Sequence, residues 1–216
     1  PRWPAGAATK FVFVGRPDPE KGVEVLLHAW RASGLSAPAA ALVLVGGFGS
    51  RSDAGGAGAS ARVREGGLAK LPDGVLGLAP VTPVELRNVY AAADVLVLPS
   101  IPTRTFREPW GLVVNEAMNR GLAVIASDAV GAAAGGLVRD GESGLIVPAG
   151  DSGALARALT LLAGDGPLRA RLGAAGMSAV RAYSQDAWAA GFSRALSSLG
   201  LSGSGSSPPA RIGSVG

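Results

Sequence analysis

Cysteine is absent from the 216 residues, histidine occurs once and lysine only three times. Without cysteine there is neither a disulfide framework nor a thiolate metal site. A single histidine, His28, leaves nothing from which to assemble a Ser–His–Asp hydrolase, and its place beside Trp30 in a helical stretch reads as structural. Charged residues are also sparse, at 17%, against 48% hydrophobic ones. That balance describes a well-buried globular chain rather than a disordered one. No apolar run approaches the roughly 20 residues of a membrane helix. The opening "PRWPAGAATK" lacks the apolar centre of a secretory signal, so a cytoplasmic location is expected. The net charge is +4, with 17 arginines spread singly along the chain. A nucleic-acid binder would cluster its cations and interleave aromatics, so nucleic acid is not expected as a partner.

What the sequence has is alternation. "FVFVG" (11–15), "ALVLVG" (41–46), "VLGLA" (75–79), "VLVLP" (95–99), "AVIAS" (123–127) and "GLIVP" (144–148) are continuous apolar runs. Strands buried on both faces read this way. Between them lie helical patterns. Val23, Leu26, Leu27 and Trp30 form one stripe at i, i+3, i+4, i+7, and Leu86, Val89, Tyr90 and Ala93 form another. Thr82, Pro83 and Glu85 spell a capping box with proline in the first helical position. Three closing helices are predicted from Asp151 onward. Alternation of this kind predicts an α/β fold, a Rossmann-like, doubly wound parallel sheet. Residues 1–199 read as one domain. Residues 46–61 read as a long glycine-rich loop, and the Gly/Ser/Pro-rich residues 200–216 as a disordered tail.

In such sheets ligands sit at the carboxyl ends of the strands, so the residues after each run carry the functional signal. After the first run, Gly15 allows close backbone approach, while Arg16 and Lys21 flank a turn built by Pro17, Asp18 and Pro19. A planar fork beside a compact ammonium suits a diphosphate; a βα turn with two solvated cations fits the same residues. After the fourth run, Pro109 keeps Glu108 extended, just outside a helix. Glu116 lies more than a turn inside that helix. Amides at Gly111, Leu112 and Val113 would face an anion. Two carboxylates flanking an anion site suit hydroxyls on both sides of a phosphate bridge, the pattern of a nucleotide sugar. Asp128, at the end of the fifth run, reads as a turn or cap. Gly131, Gly135 and Gly136 read as a loop, either one that closes over a ligand or one that is merely flexible. "GGFGS" lacks the glycine spacing of a dinucleotide fingerprint.

The segments "FVFVGRPDPEKGVEVLLHAW", "VYAAADVLVLPS", "EPWGLVVNEAM" and "GLAVIASDAVGAAAGGLVRDGESGLIVPAGD", in this order over about residues 10–163, resemble the C-terminal domain of family 4 glycosyltransferases of the GT-B fold. The resemblance implies the donor-binding half of a retaining glycosyltransferase, which passes the sugar of a nucleotide diphosphate to a hydroxyl acceptor. It implies that Arg16 and Lys21 neutralise the diphosphate and, with Glu108, act in catalysis. Glu108 would hold sugar hydroxyls, the Gly111–Val113 amides phosphate or sugar oxygens, and Glu116 the ribose. The base would lie near Leu78 to Pro80. No cofactor and no metal are implied, and Asp-x-Asp is absent from the sequence. The acceptor-binding N-terminal Rossmann-like domain of the family has no counterpart in these residues, so little transfer is expected from this chain alone, and any peripheral membrane contact would belong to that other domain. The family's last helices cross onto that domain, which would leave Trp188 and Phe192 partly uncovered. A non-catalytic nucleotide-diphosphate module remains an alternative, as does half of another GT-B enzyme such as an epimerase. A phosphorylase-like enzyme would need a lysine for pyridoxal phosphate, and none of Lys10, Lys21 and Lys70 has a suitable context.

Overall fold

The computed structural model describes Trp3 and residues 6–48 and 71–201. The glycine-rich segment beyond Phe48, Lys70 and the tail beyond Leu201 lie outside the described residues. Two compact units are distinguished, Pro1–Val180 and Arg181–Gly216.

In the first unit the strands are β1 (Thr9–Val14), β2 (Ala40–Val45), β3 (Val75–Leu78), β4 (Val95–Leu98), β5 (Ala123–Ser127) and β6 (Leu145–Val147). They form one parallel sheet in the order β3-β2-β1-β4-β5-β6. The helices are α1 (Val23–Ser33), α2 (Pro83–Ala92), α3 (Leu112–Met118), α4 (Gly131–Ala134), α5 (Ser152–Gly164) and α6 (Gly166–Ala179). The predicted α/β doubly wound fold is the observed one.

The continuous apolar runs have a direct cause. Successive strand residues point to opposite faces, and each face has its own core. Phe11, Phe13, Leu42, Leu44, Val97 and Ile125 pack on the side of α1 and α5. Val12, Val43, Val45, Leu96, Leu98 and Val124 pack with buried residues of α2, α3 and α4. On α1 the predicted stripe of Val23, Leu26, Leu27 and Trp30 is buried throughout, and Trp30 meets Phe11 edge-on at 5.8 Å. His28 is exposed on the opposite side of that helix.

The capping box also forms. Thr82 Oγ1 accepts from the Glu85 amide, and Glu85 returns a carboxylate oxygen to the Thr82 amide at 2.7 Å. These bonds hold the Glu85 carboxyl below its ordinary value. Two sequence expectations are corrected. β3 is an edge strand and only half-buried, because among the described residues β2 is its sole partner in the sheet. Gly131 to Gly136 is not an open loop: its first four residues form α4, with Ala132 buried. Among the described residues no helix is long and apolar enough to cross a membrane.

The second unit contains α7 (Gln185–Ser198), capped by Ser184 Oγ accepting from the Ala187 amide at 3.1 Å. Trp188 and Phe192, one turn apart, stack with ring centres 5.3 Å apart and planes 4° from parallel. Both are exposed.

Candidate functional site

β1 and β4 are neighbours in the sheet, yet the chain leaves them toward different neighbours: α1 leads to β2 on one side, α3 to β5 on the other. The two outgoing segments diverge at the carboxyl ends of β1 and β4, and a crevice opens there, as at other topological switch points. It holds a cleft of about 480 Å³ lined by Val14, Gly15, Arg16, Lys21, Leu98 and residues 108–113.

One wall is the turn after β1. Pro17 to Pro19 bend the chain into a single 3₁₀ turn, Pro19–Lys21, closed by the Gly22 amide donating to the Pro19 carbonyl at 3.0 Å. Gly22 sits at φ 69°, and a Cβ there would fall 2.0 Å from the Pro99 carbonyl oxygen. Only glycine permits that approach. It seats Lys21 against the end of β4. Arg16 is exposed and pairs with Asp18 at 2.8 Å.

The facing wall is the segment from Pro99 to Trp110. Ile101 N–H donates to the Glu20 carbonyl (2.9 Å), tying the two walls together. A small turn in which the Phe106 amide donates to Thr103 Oγ1 places the Phe106 ring 5.3 Å from Lys21 Nζ. Glu108 is 8% exposed, and its Oε2 receives Lys21 Nζ at 2.5 Å and Ser100 Oγ at 3.2 Å. Ser127, at the end of β5, donates to the Ser100 carbonyl at 2.5 Å. α4 fixes the same segment from behind. Gly131 N–H donates to the Glu108 carbonyl at 3.1 Å and Ala132 N–H to the Trp110 carbonyl at 2.9 Å. The Trp110 indole N–H donates to Asn115 Oδ1 at 2.7 Å.

The floor ends at Gly111, the N-cap of α3 at φ 84°. Among the described residues the amides of Gly111, Leu112 and Val113 have no hydrogen-bond acceptor.

The cleft thus gathers seven of the residues singled out from sequence: Gly15, Arg16, Lys21, Glu108, Gly111, Leu112 and Val113. Leu78, Pro80 and Glu116 do not line it. The Leu78 carbonyl accepts from Gly47 and Phe48, and Pro80 is exposed. Glu116 accepts the buried Tyr90 hydroxyl at 2.8 Å. Burial first, and then the Glu116 carboxylate, push the Tyr90 pKa far up. Asp128 accepts from the Ala149 amide, a turn contact. The sequence assigns Lys21 and Glu108 to separate parts of a ligand; in the structure they also grip each other. The sequence reasoning missed Ser100, Ser127, Phe106 and Tyr90. Both serines immediately follow or end an apolar strand run, which is the one local signal they carry. Among the described residues no three His, Asp or Glu side chains gather to hold a metal.

A family model described as glycosyl transferases group 1 matches residues 5–178. The chain belongs to that glycosyltransferase family. The phosphatidyl-myo-inositol mannosyltransferase of Mycobacterium leprae is 37% identical to it over 194 residues, which are 89% of this chain and 47% of the relative. Sucrose-phosphate synthase from Thermosynechococcus elongatus superposes with a TM-score of 0.69 at 34% identity, over 90% of this chain and 46% of that one. Anabaena HepE, solved in complex with UDP, superposes with a TM-score of 0.67 at 25% identity, over 90% of this chain and 50% of that one. The chain therefore spans about half the length of the glycosyltransferases it matches. The sheet described above is one Rossmann-like half of their GT-B architecture.

Proposed function

We propose that this domain holds the nucleotide-diphosphate sugar donor of a retaining glycosyltransferase, and that the cleft between β1 and β4 is where the diphosphate and sugar lie. The observation that carries the reading is the cleft's composition: Lys21 and Arg16 on one wall, Glu108 on the other, and acceptor-less amides at 111–113 below. Its support from relatives is the likeness to HepE, a protein crystallised with UDP.

In this reading the Lys21–Glu108 pair is the resting arrangement. Lys21 is largely buried, and its charge is balanced by one carboxylate. A diphosphate brings more negative charge than Glu108 alone, so it competes for the ammonium and adds Arg16, whose present partner Asp18 is a surface contact of little worth. When the bond between the anomeric carbon and the diphosphate breaks, negative charge grows on the departing oxygen. Lys21, held in place by its buried contacts, and Arg16, recruited from the surface, stabilise that charge, which favours the transition state over the bound donor. Glu108 accepts hydroxyls of the sugar, and Glu116 those of the ribose, reached alongside its bond to Tyr90. The base lies toward Leu78 and Pro80. No metal takes part, since the two side-chain cations fill that role. Acceptor binding belongs to a second domain, the part of the longer relatives that this chain does not match, and little transfer is expected without it. A cytoplasmic setting is part of the same reading.

The test is calorimetric titration of the 216-residue chain with UDP, GDP and ADP. Lys21→Ala is expected to cost roughly 1.5–3 kcal/mol of binding to the preferred diphosphate, the worth of a hydrogen bond to a charged group, or about 10- to 150-fold in Kd. Glu116→Ala, titrated in parallel, reads the ribose contact separately. Unchanged affinity in Lys21→Ala rejects the diphosphate site; unchanged affinity in Glu116→Ala alone rejects only the ribose assignment.

A further inference from the structure

Among the described residues Glu108 is the one carboxylate lining the cleft, and its two oxygens are treated differently. Lys21 Nζ and Ser100 Oγ both converge on Oε2. Oε1 takes no partner among the described residues, yet it is not among the buried polar atoms left unsatisfied. It therefore keeps contact with solvent, although the residue as a whole is 8% exposed. The oxygen left over is thus the one free to take a further hydrogen bond, on a residue that lines the cleft.

Ser100 itself is fully buried at the carboxyl end of β4. A buried hydroxyl needs a partner, and Ser100 spends its proton on Glu108. The Ser100 carbonyl is held in turn by Ser127 Oγ from the end of β5, another buried group. A chain of hydrogen bonds thus runs from the sheet's interior to the carboxylate: Ser127 to the Ser100 backbone, the Ser100 side chain to Oε2. Strand ends are rigid compared with the long segment that carries Glu108, so the chain transmits sheet geometry to a side chain on a loop.

We infer that Ser100 and Ser127 are positioning residues that clamp Oε2 of Glu108 and turn Oε1 toward the cleft, where it accepts a hydroxyl of the donor's sugar. The inference rests on the donor-site reading above and deepens it. Neither serine lines the cleft, so neither touches the ligand; each acts through Glu108. A carboxylate held only by Lys21 would swing when the diphosphate draws the ammonium away. With Ser100 in place, Oε2 keeps one anchor after that exchange, and Oε1 stays aimed.

The distinguishing quantity is the sugar increment, the ratio of Kd for a nucleoside diphosphate to Kd for the matching nucleotide sugar. It is measured on the 216-residue chain with UDP against UDP-glucose and GDP against GDP-mannose. In the native sequence the better pair is expected to show an increment above one. Ser100→Ala should lower that increment about 5-fold, the worth of one ordinary hydrogen bond, with the bare diphosphate's Kd within about 2-fold of native. Ser127→Ala should lower it less, and Glu108→Gln should lower it at least as much as Ser100→Ala. Thermal melts of each variant check the fold, and Ser127→Ala, which leaves the Glu108 contacts in place, keeps the test valid where Ser100→Ala melts too low. An undiminished increment in Ser100→Ala overturns the inference while leaving the donor site standing, as does an equal loss of diphosphate and sugar affinity. So does a native chain that binds a diphosphate and gains nothing from its sugar. A native chain that binds none of these diphosphates overturns the donor-site reading and this inference with it.

Discussion

Replacing Tyr90 by phenylalanine removes a single oxygen, but that oxygen is buried and donates to Glu116. At neutral pH the loss should cost about 1 kcal/mol of stability, the net worth of an ordinary hydrogen bond. The pH dependence is more diagnostic. The folded Tyr90 pKa lies well above its unfolded value of 10.0, because burial and the neighbouring carboxylate both oppose the phenolate. The folded protein therefore keeps a proton that the unfolded chain gives up. The stabilisation is complete below pH 10 and drains away as the pH rises beyond it. Urea midpoints at pH 8 and pH 11 should fall farther apart in the native chain than in Tyr90→Phe. Equal alkaline losses in the two would show that Tyr90 is not the responsible group. At this scale the sequence was legible in part. Lys21 and Glu108 stood out because they follow the carboxyl ends of β1 and β4, where ligands of parallel sheets sit. Their pairing across 87 positions left no local trace. The Ser100 and Ser127 hydrogen bonds were equally invisible, since serine is common at strand ends and its partner is chosen by the fold.

Among the elements, α4 is the least conspicuous and the most consequential for the site. Its four residues, Gly-Ala-Ala-Ala, have neither length nor an apolar stripe, so the sequence suggests a loop. What makes it a fixed support is contact. A Cβ on Gly131 would stand 1.9 Å from the Pro109 carbonyl oxygen and 2.9 Å from Trp110 Cα. Gly131→Ala must push the helical turn and the cleft wall apart. The expected cost is about 1–3 kcal/mol, as for other overpacked sites, together with weaker nucleotide binding as Glu108 shifts. Gly164, the last residue of α5, is the control. Nothing lies within 4 Å of a Cβ there, and Gly164→Ala should leave binding alone and raise stability by about 0.4–1 kcal/mol. Chemical denaturation and titration of both variants check the contrast. The strands were legible to within two residues, because two cores recruit alternate strand positions and write an unbroken apolar run. β3 shows the limit: an edge strand and an interior one look alike in four residues, and only the sheet order separates them.

For the molecule as a whole, every buried residue of both cores belongs to the unit that ends at Val180. A chain that stops after Val180 should therefore keep a cooperative thermal transition and its affinity for a nucleoside diphosphate. Loss of either would place essential structure in residues 181–216. The doubly wound class was readable from the alternation of strands and helices, whereas the strand order and the size of the cleft were not, the latter because it depends on how closely Gly22 and Gly131 let neighbouring backbones approach. The cleft's walls also come from distant stretches of chain: Lys21 arrives early, while Glu108 needs β5 for Ser127 and α4 for its backbone partners. During synthesis on the ribosome, a growing polypeptide that has exposed β1, α1 and β2 already displays its lysine but owns no binding site. On the donor-site reading, nucleotide cannot act as an early folding template; it can only reward a sheet that has already closed as far as its fifth strand.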